Sequence, residues 1–228
     1  MNKTFKNVLR GLAAAAVPVV ITAGGWWAGG GALEALDDQG ARVAYLLLSI
    51  AAFFSAPFAT ARVKNLASKG NSHDKRQDKF IIITSAVSGV LMIISPLSDG
   101  AGVAVLPGGT ILRWFGFGLY ALGFLLMIIA PLYLGRQFSA YVTLQEDHQL
   151  ITTGPFAVLR HPRYAGCVYW GLGLPLVFAS LPGLVVGIIY GALFLWRIHD
   201  EEQLLERHFQ NEWRAYAGRT KRLLPYVY

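Results

Sequence analysis

The chain has 228 residues, of which 54% are hydrophobic and only 14% charged, with a mean hydropathy of +0.45. Soluble domains carry about 25% charged residues, so this composition excludes an ordinary soluble globule and points to the bilayer. A single cysteine, Cys167, excludes an intramolecular disulfide and any cysteine-based metal cluster, and the five histidines show no zinc-site spacing, so no metal site is expected. The net charge of +7 is spread between hydrophobic blocks. That placement fits loop topology and anionic headgroups, with no nucleic-acid partner expected.

The first apolar block runs from about Val8 to Ala28, behind the basic stretch Met1–Arg10. No small-residue cleavage site ends it, so it reads as a signal anchor that is retained. The second runs from about Val43 to Ala61, the third from Phe80 to Leu97, and the fourth from Ile111 to Leu134. Each approaches the ~20 residues that a helix needs to cross a bilayer. A last apolar stretch, Tyr164–Trp196, is interrupted by Ser180-Leu181-Pro182-Gly183, a turn signal. It reads as a hairpin of two short helices of ~16 residues, ~24 Å long at 1.5 Å per residue. Arg197–Ala217 then has helical spacing, with Leu204, Leu205, Phe209, Trp213 and Tyr216 on one side, and reads as an amphipathic interfacial helix.

The expected fold is thus all-α and polytopic, with about six transmembrane helices and no internal repeat. Residues 1–228 form one integral-membrane domain, in which 1–134 supply four helices and 135–228 the chemically informative region. Lys3, Lys6 and Arg10 precede the first helix. Arg62, Lys64, Lys69, Lys75, Arg76 and Lys79 lie between the second and third, and Arg136, Arg160 and Arg163 between the fourth and fifth. The alternate loops hold Glu34, Asp37, Asp38 and Asp99. The positive-inside rule then places both termini and the Arg136–Arg163 loop in the cytoplasm.

Polar residues concentrate in the loop Gln145–Tyr164 and in Arg197–Glu202, which flank the hairpin at one end. Closing the hairpin makes them neighbours and turns two patches into one candidate pocket. Pro162 can start a helix, presenting His161, Arg163 and Tyr164 near an anion-accepting N-terminus. Topology alone would also account for Arg160 and Arg163. Arg197 and Glu201, four apart, share a helical face. They read either as a surface ion pair or as polar groups at the mouth of a membrane cavity, where ionisable residues mark sites. His199 and Asp200 read as solvated.

The run His148-Gln-Leu-Ile-Thr-Thr-Gly-Pro-Phe156, followed by Arg160-His-Pro-Arg-Tyr164-Ala-Gly166, resembles the signature of the isoprenylcysteine carboxyl methyltransferases and related phospholipid methyltransferases. Glu201-Glu202, Phe209, Trp213, Tyr216 and Arg222-Leu-Leu-Pro225 resemble that family's last helix and tail. The resemblance covers roughly Gln145 to Pro225. It implies an S-adenosylmethionine pocket drawn from Gln145, His148, Gln149, Leu150, Ile151, Phe156, His161, Pro162, Arg163, Tyr164, Glu201 and Glu202. It further implies that Glu201 contacts the cofactor and that Arg197 holds a substrate carboxylate, the pair forming the catalytic centre. Phe156 stands where the family often has tyrosine. A lipophilic acceptor would enter from the bilayer and the cofactor from the cytoplasm. A carboxylate acceptor needs no general base, which favours it over a phospholipid amine or a small thiol. A rival resemblance is to membrane sterol reductases that use a reduced nicotinamide dinucleotide phosphate; these share the His-Pro-x-Tyr-x-Gly turn but usually carry an acid where this chain has Cys167.

Overall fold

The computed structural model describes residues 20–24, 27–28, 40–52, 75–135, 138, 149–225 and 227. Most of the first apolar block, the end of the second and the basic segment after it lie outside these residues. So do Gln145 and His148. The described helices are α1 (Gly40–Ala52), α2 (Lys75–Gly100), α3 (Gly109–Leu134), α4 (Pro162–Val177) and α5 (Leu181–Arg219), with a 3-10 turn at Gly154–Ala157. Among the described residues no strand forms; two isolated bridges, Val105 with Ser180 and Leu159 with Lys221, tie loops together. Three helices are long and apolar enough to cross a membrane: Gln77–Gly100, Gly109–Leu134 and Leu181–Arg219.

The hairpin forms where the sequence places it. The Ser180 hydroxyl accepts from the Gly183 N–H at 3.0 Å and caps α5, with Pro182 in its first turn. Leu106 N–H bonds to Ala179 O at 2.6 Å and Leu181 N–H to Ala104 O at 3.0 Å, so the α2–α3 loop holds the hairpin turn. The second arm departs from the expectation of a short helix followed by a separate amphipathic one. α5 runs unbroken past Trp196 and Arg197, and the break comes only at Gln210, at φ 47°. No glycine or proline lies between Gly191 and Gly218, so nothing in the sequence stops the helix at the polar boundary. The stripe of Leu204, Leu205 and Phe209 is half-buried, and Trp213 and Tyr216 beyond the break are buried.

α3 and α4 meet backbone to backbone. Gly116 and Gly123 are seven residues apart on α3, as are Gly166 and Gly173 on α4, so each pair occupies one helical face. A Cβ on Gly123 would stand 2.6 Å from Gly166 O, and one on Gly166 would stand 2.7 Å from Gly123 O. A Cβ on Gly173 would stand 2.8 Å from Gly116 O. Small residues let helices approach this closely where lipid supplies no hydrophobic drive between them. Around this seam, Tyr45, Tyr120, Trp170, Phe178, Tyr190 and Phe194 pack in edge-to-face and tilted pairs, with centroids 4.9–6.4 Å apart.

At the hairpin-turn end, Asp99 receives two guanidinium groups. Arg42 donates from Nε at 2.7 Å and Nη2 at 2.9 Å, and Arg113 from Nη2 at 2.8 Å. Arg113 Nη1 also donates to Val177 O at 3.0 Å. The Asp99 side chain is 2% exposed, so one buried carboxylate ties α1, α2, α3 and the end of α4.

Two outcomes follow for folding. Gly123→Leu has no room at the seam and should lower stability by about 3 kcal/mol or prevent folding, whereas Gly118→Leu, which faces open space, should fold normally; thermal unfolding in detergent compares them. Asp99→Asn removes the buried charge that Arg42 and Arg113 share and should cost about 3–5 kcal/mol in the same assay.

Candidate active site

The loop before α4, the first turn of α4, the middle of α5 and the tail after α5 converge at the end of the bundle opposite Asp99. Their junction begins in the backbone. Arg160 N–H bonds to Lys221 O at 2.7 Å, His161 N–H to Arg222 O at 3.3 Å, and Lys221 N–H to Val158 O at 3.3 Å. The tail therefore runs beside the loop as a short parallel pairing. The Tyr216 hydroxyl donates to Phe156 O at 2.8 Å and the Tyr169 hydroxyl to Leu223 O at 2.5 Å. Gly154, at φ 60°, starts the 3-10 turn against the Tyr133 ring, where any Cβ would overlap the ring.

Glu202 is the electrostatic hub of this junction. It accepts from Arg160 Nε at 3.0 Å, His161 Nε2 at 3.1 Å, and Arg222 Nε at 2.9 Å and Nη2 at 2.7 Å. Arg160 also donates from Nη1 to Ala217 O at 2.6 Å and Thr220 O at 2.8 Å. Burial alone would raise the Glu202 pKa. The hydrogen bonds from His161 and Arg222 and the charges of His161 and Arg160 outweigh it and hold the group at about 2, below the usual 4.5.

The neighbouring acid has a different environment. Glu201 Oε2 accepts from the Tyr164 hydroxyl at 2.5 Å, and that hydroxyl accepts from Arg197 Nε at 3.0 Å. The Glu201 side chain is 29% exposed, and its Oε1 lies 3.8 Å from His161 Nδ1. Arg197 itself is 6% exposed, with its guanidinium carbon 4.6 Å from the centroid of the Phe80 ring. Tyr164 stacks on His161 at 5.7 Å. The expected Arg197–Glu201 pair is thus joined through a tyrosine hydroxyl from the other arm of the hairpin.

The remaining candidate residues divide by burial. Phe156, His161 and Pro162 are buried in the junction, Arg163 is half-buried against the Phe138 ring, Leu150 and Ile151 are half-buried, and Gln149 is exposed. His199 is exposed and bonded to Gln203. Sequence reading missed Arg160 and Arg222 as braces of Glu202, and missed Phe80. Local spacing carries no signal for contacts between residues 20 to 117 positions apart. Among the described residues no group of His, Cys, Asp and Glu could hold a metal ion.

Stability from Glu202 has a defined pH window. A carboxylate whose pKa is depressed on folding stabilises above its unfolded value of about 4.5 and loses that contribution as pH falls towards 2. Glu202→Gln should lower the unfolding midpoint at neutral pH and remove this acid component, which a pH series on both proteins measures.

The comparisons with known proteins bear on this region. Residues 116–207 match the model of the isoprenylcysteine carboxyl methyltransferase (ICMT) family. The match starts within α3, further back than the motif at Gln145, and stops before the tail. Protein-S-isoprenylcysteine O-methyltransferase B of Arabidopsis thaliana is 29% identical over 142 residues, covering 60% of this chain and 72% of that protein. The probable protein-S-isoprenylcysteine O-methyltransferase of Oryza sativa subsp. indica is 27% identical over 121 residues, covering 50% and 63%. The chain therefore spans between 63% and 72% of these relatives' lengths. The solved structure of the eukaryotic intramembrane Ras methyltransferase, isoprenylcysteine carboxyl methyltransferase, superposes with a TM-score of 0.59 at 20% identity, over 94% of this chain and 75% of that one. Residues 116–207, which hold the glycine seam, the hairpin and the Arg197–Tyr164–Glu201 line, are thus the part of the chain that matches the isoprenylcysteine carboxyl methyltransferase family model, and the fold around them is like that of a solved member.

Proposed function

We propose that this chain is an integral-membrane methyltransferase that uses S-adenosylmethionine and methylates a lipophilic carboxylate of the S-prenylcysteine class on which its relatives are named to act. One observation carries the reading: Arg197, Tyr164 and Glu201 form a hydrogen-bonded line that sets a buried cation beside a half-exposed acid. The site is one integral-membrane domain with the chain's apolar blocks, about six crossings in all. The Lys and Arg distribution supports a cytoplasmic position for both termini and for the site.

The residues fit the methyl donor by their chemistry. Glu201 has one oxygen bonded to Tyr164 and keeps acceptor capacity on a partly exposed carboxylate, suited to an ammonium or a ribose hydroxyl. Tyr164 and His161 form a stacked aromatic face suited to an adenine or a sulfonium. Gln149, Leu150 and Ile151, with Gln145 and His148 before them, would complete the wall, and Phe156, Pro162 and Arg163 would frame it. When bound, S-adenosylmethionine supplies an electrophilic methyl group to a nucleophilic oxygen, leaving a neutral thioether and requiring no proton transfer from a carboxylate acceptor.

The chain's own residues then position and exclude. The Arg197 guanidinium is a planar cation suited to a carboxylate, and Tyr164 fixes its Nε edge. Burial among Phe80, Phe194 and Tyr164 keeps water from the acceptor. An amine acceptor would need a base. Glu202 is held ionised by two arginines and His161, so it offers no base of raised pKa. This favours a carboxylate over a phospholipid amine.

Calorimetric titration of the detergent-purified protein with S-adenosylhomocysteine, beside the reduced nicotinamide dinucleotide phosphate, tests the class. Binding of the first alone is expected; binding of the second alone would overturn the reading. Glu201→Ala should abolish S-adenosylhomocysteine binding. Arg197→Ala should keep it while lowering kcat/KM for the carboxylate acceptor by about a hundredfold.

A further inference from the structure

The N-terminal helices are outside the family match, yet one of their residues enters the site. Phe80 sits in the second turn of α2, 8% exposed, with its ring centroid 4.6 Å from the Arg197 guanidinium carbon and 5.6 Å from the Phe194 ring, edge to face. Residues 117 positions apart in the chain are thereby placed in direct contact. Tyr164 engages Arg197 at Nε from α4, while Phe80 covers it from α2. Two and three positions further on α2, Ile82 and Ile83 are 66% and 49% exposed, and Leu195 and Trp196 on α5 are 45% and 46% exposed. The exposed residues just after Phe80 on α2 and just before Arg197 on α5 are thus apolar, whereas Lys79 and His199 on the other side of each are exposed and polar, and Arg197 itself is 6% exposed.

We infer that Phe80 is a positioning residue of the methyl-transfer site and forms the α2 wall of the route by which the lipophilic acceptor reaches Arg197. The inference rests on the proposed carboxylate-binding role of Arg197. A cation over a ring is held by the ring's quadrupole while its N–H edges stay directed elsewhere. The ring therefore orients the guanidinium without consuming the donors that a carboxylate needs. The same ring is apolar, so it lies against a lipid chain arriving from the bilayer at no desolvation cost. Phe80 thus links two requirements of one substrate, a charged head and an apolar tail, at one point. α2 is the element that contributes acceptor recognition outside residues 116–207.

The test compares Phe80→Leu, which keeps apolar volume and removes the π face, with Phe80→Tyr, which keeps both. The probe is N-acetyl-S-farnesylcysteine, with its carboxamide as the uncharged control. S-Adenosylhomocysteine binding is measured on every variant. With Phe80→Leu, KM for the acid should rise about five- to thirty-fold, while S-adenosylhomocysteine affinity stays within twofold. Phe80→Tyr should restore the acid to within about twofold of the unsubstituted protein. Calorimetry with S-adenosylhomocysteine present gives the acid-to-amide preference without turnover, and Phe80→Leu should reduce it. If Phe80→Leu keeps acceptor KM and acid preference while binding S-adenosylhomocysteine, the positioning role is overturned. It is also overturned if the unsubstituted protein binds S-adenosylhomocysteine but shows no preference for acid over amide. Failure of the unsubstituted protein to bind S-adenosylhomocysteine instead overturns the methyltransferase reading, and the inference with it. Should Phe80→Leu not fold, Phe80→Met takes its place with the same two expectations.

Discussion

The close approach of α3 to α4 sets the distances on which everything else rests. Gly116, Gly123, Gly166 and Gly173 remove four side chains from the seam, so backbone meets backbone without a side-chain layer between. A second approach follows on the other side of α4, where a Cβ on Gly187 of α5 would overlap Gly171 O. Three helices thus stand as a tight sheaf, with α4 in the middle. Within it, α4 is too short to extend past its neighbours, so its first turn delivers His161 and Tyr164 level with Arg197 and Glu201 on α5. Widening the α4–α5 approach at Gly187 by one side chain would separate these residues by more than a hydrogen bond can span.

Two ionic clusters close the sheaf at its ends, and they differ in kind. At the hairpin turn, Asp99 takes two arginines from separate helices, a deeply buried arrangement that serves structure. At the other end, Glu202 takes Arg160, Arg222 and His161, and ties the loop and tail to α5. Adjacent acids on one helix therefore have separate work. Glu202 is consumed by the scaffold, while Glu201 accepts from the Tyr164 hydroxyl, lies 3.8 Å from His161 Nδ1 and keeps a partly open carboxylate. The 100° rotation between successive helical positions is enough to point one inward to the loop and the other to the site.

The family match and the fold match divide the molecule in an informative way. The family model matches residues 116–207, the Arabidopsis thaliana relative aligns over 60% of the chain, and the fold match extends over 94% of it. A reaction requires particular donors and acceptors at one point, and α4 and α5 bring Tyr164, Arg197 and Glu201 together. Lining a route for a greasy acceptor requires only apolar surface of suitable shape, which many sequences satisfy. Phe80 on α2 stands at the meeting of the two parts, outside the matched segment and in contact with its arginine.

Much was legible in the chain itself. Long apolar blocks identify the bilayer because backbone groups in hydrocarbon must be satisfied within a helix. Ser180-Leu181-Pro182-Gly183 locates the hairpin because cap and proline geometry are local properties. The motif from His148 to Gly166 and the acids at 201 and 202 carry the family resemblance because a shared reaction demands particular functional groups in a set order. The glycine pairs seven apart on α3 and α4 were also in plain view, but spacing on one helix does not reveal its partner. Only the tertiary structure decided the division of labour between Glu201 and Glu202, the bridging of Arg197 to Glu201 by Tyr164, the bracing by Arg160 and Arg222, and the entry of Phe80. Each depends on which side chains from distant segments share a few ångströms, and that is set by packing. The continuity of α5 through residue 209 was decided there as well, because a change from apolar to polar residues marks a boundary of solvent and leaves the helical hydrogen bonds intact.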